Sequence, residues 1–262
     1  MLDKSGRRSP WTSERRVLVA VPPAMEMKRG GNRVLFEAIR RGSEIFHADE
    51  PVGGFYDAYM SDTRAELWEH PEALDDYEVG RLIKFLNEWK TRYQTSRTEL
   101  LKRMQRVRGL LTRLHSEDLL NIDFNRDLPN GVTFTVQLIF EALAECRLPA
   151  TKRYESTGTS KILHTVNPRL FVIWDASICG GYAVGREQSK GYDYAFHFLP
   201  RVQKLAKRAI AEYVQVHQVS KVEAERALCA CGHTLAKVMD EFNYAKYTRN
   251  SDEVWDAELA PY

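Results

Sequence analysis

Apolar residues recur at spacings of three and four along most of this chain, and that rhythm commits it to helices more firmly than any other feature. Val34, Leu35, Ala38 and Ile39 begin the pattern, followed by Ile45 and Phe46. It returns at Leu82, Ile83, Phe85, Leu86 and Trp89, and again at Leu100, Met104, Val107, Leu110, Leu111 and Leu114. Asp127, Pro129, Asn130 and Gly131 form a turn cluster before an apolar helix expected over Val132 to Cys146. Further on, the spacing predicts a short helix near Ser160 to Val166, an extended run from Leu170 to Trp174, and a new helix opening at Asp175. Two long helices are expected to end the pattern, Tyr192 to about His217 and Ser220 to about Tyr247. No segment alternates as a strand should, so the expected fold is all-α, with two helical lobes and a cleft between them.

A chain of 262 residues can bury a sizeable core without disulfides or metals. Residues 1–16 (MLDKSGRRSPWTSERR) have little to bury and read as a flexible basic arm, leaving 17–262 as the helical domain. The most apolar stretch, Gly131 to Cys146, contains Gln137, Glu141 and Glu145, so it falls short of a membrane span. Four cysteines at irregular spacing do not form a secreted disulfide framework, which fits a reducing, cytoplasmic setting. Cys229, Cys231 and His233 suggest a metal cluster, but inside a continuous helix residues two apart point to nearly opposite sides. No metal and no nucleotide cofactor is therefore expected, and there is no P-loop or dinucleotide fingerprint.

Net charge is only +2, but its distribution is uneven. From Glu78 to His115 ten basic residues face three acidic ones, a local excess of seven that includes Arg103 and Arg106. Such a face suits a phosphate backbone, and solvated helix surfaces would look the same.

The stretch Tyr154 to Tyr182, YESTGTSKILHTVNPRLFVIWDASICGGY, reads as helix, glycine-containing turn, helix, extended link, and an aspartate at a helix start. In this it resembles the helix-hairpin-helix DNA glycosylases. Gly158-Thr159-Ser160-Lys161-Ile162-Leu163 is similar to their turn and second-helix start, and Phe171-Val172-Ile173-Trp174-Asp175 to the loop that ends in a catalytic aspartate. Only the final glycine of the family turn is kept, and the link from Lys161 to Asp175 is shorter than is usual there.

The resemblance implies an enzyme that cuts a modified or damaged base from DNA without a cofactor, acts as a monomer, and grips a phosphate through Gly158, Thr159 and Ser160, with Arg103 and Arg106 as further contacts. Asp175 would stabilise the positive charge that builds on the sugar as the N-glycosidic bond breaks. Trp174, Tyr182 and Tyr192 flank it in sequence as a pocket for a flipped base would require. Lys161 is a Schiff-base nucleophile if the second helix is aligned by its apolar positions; aligned by Gly158, that place falls to Ser160 and the enzyme only hydrolyses. A noncatalytic protein that uses the hairpin to hold DNA is the alternative. Oxidised purines, alkylated or mismatched bases and the modified cytosines of phage DNA all fit as targets, and the resemblance is compatible with repair or phage defence.

Overall fold

A computed structural model describes residues 35–49, 53–62, 74–89, 91, 93–124, 131–148, 151–184, 189–229, 232–252 and 254. The basic arm expected over 1–16 lies outside them. The helices are α1 (Leu35–Asp49), α2 (Gly53–Asp62), α3 (Asp76–Glu88), α4 (Arg97–Arg113), α5 (Val132–Ala144), α6 (Ser156–Val166), α7 (Ala176–Gly181), α8 (Lys190–Tyr192), α9 (Leu199–His217), α10 (Lys221–Leu228) and α11 (Leu235–Asn243). Two π-helical turns, Asp193–Phe198 and Tyr244–Thr248, lead into α9 and out of α11. Among the described residues the fold is all-α apart from one hairpin, β1 (Glu145–Leu148) and β2 (Thr151–Tyr154), in antiparallel register with Glu145 opposite Tyr154.

Local chemistry explains most boundaries. Asp75 caps α3 by accepting from the Glu78 amide at 2.9 Å, and Ser96 caps α4 from Glu99. Ser220 and Glu223 form a reciprocal capping box at the start of α10. Helices α3, α4 and α5 pack in succession, α5 lies against α6 and the first π turn, and α1 packs on α9 and α11. Their shared core centres on Phe140, Trp174, Tyr194 and Phe198, all fully buried. Phe140 stacks on Tyr194 at 4.5 Å, and Trp174 meets Phe140 and Tyr194 edge-on.

Two sequence expectations are corrected here. The apolar helix stops at Ala144 rather than Cys146, and the chain turns into a β hairpin where no strand is expected. Its strands have only four residues each, too few for period two to stand out. The helix expected from Ser220 to about Tyr247 is two helices. Cys229 closes α10, Gly232 takes a left-handed φ of 85°, and Thr234 caps α11 by accepting from the Lys237 amide at 3.3 Å.

Candidate functional site

Helix α6 begins at Ser156, so Gly158, Thr159 and Ser160 sit within a helix that follows a strand, not in a turn between two helices. All three are buried. A Cβ on Gly158 would come within 2.5 Å of the Tyr93 ring, so glycine is required there by close approach rather than by a turn. Glu155 does the anchoring at this junction: its carboxylate accepts the Gln94 amide at 2.6 Å and the Thr95 amide at 3.2 Å. The resemblance places a phosphate grip at Gly158, Thr159 and Ser160, and the structure encloses all three within the core.

Ser160 has a different task. Its hydroxyl accepts the Trp174 amide at 3.2 Å, with the carbonyls of Thr157 and Trp174 at 3.0 and 3.2 Å as acceptors for its proton. That clamp fixes the extended link immediately before Asp175. Asp175 then caps α7: Oδ1 accepts from the Ile178 amide at 2.8 Å, as the sequence led one to expect. Its Oδ2 accepts from the Thr248 hydroxyl at 2.8 Å, so both carboxylate oxygens are oriented while the residue stays half-buried. Burial pushes the nearby Cys179 thiol up to about 12, which holds it in the neutral form.

Trp174 and Tyr182 are core residues. Trp174 is fully enclosed by aromatic rings, and the Tyr182 hydroxyl donates to Asn243 at 2.8 Å. The base pocket that the resemblance implies would have them line an opening, and in the structure neither offers an open ring face. Tyr192 is half-buried and stacks on Phe196 at 4.6 Å. Arg103 is buried, pairs with Glu99 at 2.8 Å and reaches the Leu143 carbonyl at the end of α5. Arg106 is exposed on the same helix, as are Lys102, Arg108 and Arg113. Much of the remaining basic excess is spent within the protein: Arg81 pairs with Asp62 and Glu78, and Arg97 with Asp76.

Lys161 is half-buried; its ammonium donates to the Trp89 carbonyl at 2.9 Å and lies 4.4 Å from the centre of that residue's ring. His164, one turn on, is fully buried. Its Nδ1 lies 2.6 Å from the Phe171 carbonyl, which can only accept, so Nδ1 carries the hydrogen and Nε2 accepts the Tyr56 hydroxyl at 2.9 Å. Burial holds its pKa down at about 3.

Beside these lies a charged cluster that the sequence reading passed over. All nine residues of α11 are buried, including Lys237, Asp240 and Glu241. The Lys237 ammonium pairs with Asp240 at 2.7 Å among the rings of Phe46, Tyr56 and Trp89. Burial pushes the Asp240 carboxyl up, against the pull of Lys237. For Glu241 burial acts the same way, but His233, His47 and Lys237 outweigh it and hold the carboxyl well below its ordinary range. His233 Nδ1 lies 2.6 Å from Glu241, and Nε2 lies 2.9 Å from Asp57. The available signal was the spacing Lys237, Asp240, Glu241, three charges on one side of an otherwise apolar helix.

No protein-family model, curated protein or solved structure matches the chain.

Proposed function

We propose that the chain is a DNA glycosylase that hydrolyses the N-glycosidic bond of a modified or damaged base and leaves an abasic site. The observation that supports this reading is the Asp175 carboxylate, half-buried at a helix start with both oxygens oriented by hydrogen-bond donors. In the proposed reaction the base departs with the bonding electron pair, positive charge spreads over the sugar ring, and the carboxylate stabilises it. A water molecule adds at the anomeric carbon and gives up a proton, and the departing base takes one up. The cleft between two helical lobes belongs to this proposal as the place where the flipped nucleotide lies.

DNA is held in this reading by the exposed face of α4, where Lys102, Arg106, Arg108 and Arg113 reach solvent. The hairpin grip plays no part in this reading, because Gly158, Thr159 and Ser160 are enclosed. Lys161 is assigned to Trp89 and not to the sugar, so the reaction is hydrolytic and borohydride traps no adduct between protein and DNA.

Asp175→Asn tests the proposal, since the amide keeps a capping oxygen and loses the charge. With damaged oligonucleotides and modified phage DNA as substrates, free base is identified by mass spectrometry and its release timed in single turnovers. The variant is expected to bind DNA as the parent does and to release base at least about 100-fold more slowly. Equal rates in the two proteins would remove Asp175 from the chemistry.

A further inference from the structure

The geometry points to a divalent transition-metal site of the zinc type formed by His47, His233 and Glu241, with Asp57 supporting it from behind. The break between α10 and α11 brings these residues together. His47 comes from the last turn of α1, His233 from the loop after Gly232, and Glu241 from the buried helix α11. One ligand atom from each lies within 4.8 Å of the others. Two imidazoles and a carboxylate form a donor set that zinc accepts, with a further position left for water.

His233 turns its Nδ1 to the site. Its Nε2 lies 2.9 Å from Asp57 and its Nδ1 2.6 Å from Glu241 Oε1, and both carboxylates only accept, so without a metal ion both ring nitrogens carry hydrogen. A bound metal ion replaces the Nδ1 hydrogen, while Asp57 keeps the one on Nε2. The Nδ1 hydrogen serves the pair of His233 and Glu241 alone. A metal ion also engages His47 Nε2, which lies 3.5 Å from Glu241 Oε2. Ligands about 2.1 Å from a tetrahedral zinc are roughly 3.4 Å apart, so three ligand atoms that already lie within 4.8 Å of one another close on the ion with small side-chain shifts.

The surroundings supply the outer support such sites use. Asp57 orients the His233 ring, and the Ser43 hydroxyl donates to Glu241 Oε2. Lys237 is committed to Asp240 at 2.7 Å and stands 3.8 Å from Glu241, which leaves that carboxylate turned toward the histidines. His47 is the most exposed of the three and gives the ion its entry from solvent. Once bound, the ion ties α1 to the loop and helix that close the core.

The experiment uses the full chain, stripped with chelator and titrated with Zn²⁺ alone by calorimetry. One equivalent per chain is expected to bind and to raise Tm. His47→Ala changes an exposed side chain, so it keeps the parent far-ultraviolet circular dichroism while weakening Zn²⁺ binding at least about tenfold and losing the rise in Tm. Asp57→Asn weakens binding by about tenfold through the ring it orients. A Cys229→Ser, Cys231→Ser double variant binds as the parent does. The site is refuted if the parent takes up no Zn²⁺, if His47→Ala binds as well as the parent, or if the double cysteine variant abolishes binding. No DNA enters the assay, so its outcome is separate from that of the glycosylase proposal.

Discussion

His164 has two hydrogen bonds in the core and no room for a second proton, which makes it a direct contributor to acid sensitivity. Its folded pKa, about 3, lies below that of the free imidazole, so the unfolded chain binds a proton across a window where the folded one does not. The sign follows: stability is full above about pH 6.5 and falls as pH drops toward 3, by about 1.4 kcal/mol per pH unit from this ring. His164→Asn keeps a donor for the Phe171 carbonyl and has no titrating ring. Urea denaturation from pH 7 to 4 is expected to show a slope flatter by about that amount in the variant, and an unchanged slope would mean that the folded ring does take up a proton. Acidic Glu241 adds to the same trend from the other direction, since a carboxyl held low contributes stability that disappears as pH falls through its folded value. Neither partner of His164 was legible in the sequence. Tyr56 lies 108 residues away, and Phe171 contributes only its carbonyl.

Helix α4 shows how one element divides its charges. Arg103 points inward to Leu143 and Glu99, whereas Arg106 faces solvent three residues later. Arg103→Ala is therefore expected to lower folding stability by about 1 to 3 kcal/mol in denaturant titrations, because the Leu143 carbonyl loses a buried donor. Arg106→Ala is expected to leave stability within about 0.5 kcal/mol and to reduce the slope of log DNA affinity against log salt by about 0.9. A slope equal to the parent's would make Arg106 ordinary solvated surface. The sequence reading grouped the two arginines because composition counts charge without direction. It located the helices well where apolar spacing persists for three turns, as in α3 and α4, and the Asp175 cap as well. It lost the β hairpin, whose strands are too short to show a period, and it ran through the break at Cys229 to Thr234. There the apolar rhythm continues on both sides of a left-handed glycine, so periodicity alone reports one helix where there are two.

Across the whole molecule, distant segments converge on the same few elements. Among the described residues no helix is long and apolar enough to cross a membrane, and the buried apolar side chains of the helices meet in one shared core. The last π turn packs on both α1 and α7, with the Tyr247 ring directly over Gly181 and Thr248 donating to Asp175. Thr248→Val removes that donor and keeps the shape. Base release is expected to slow by about tenfold, the equivalent of about 1.4 kcal/mol, while Thr248→Ser restores it. A rate equal to the parent's in Thr248→Val would show that the Ile178 amide alone suffices to aim the carboxylate. The same bond sets a timetable for synthesis. Seventy-three residues separate Asp175 from Thr248, and a ribosome delivers the aspartate and its own helix first. Until Thr248 has left the exit tunnel, Asp175 lacks this donor, so a prematurely released chain would carry the charge without its aim.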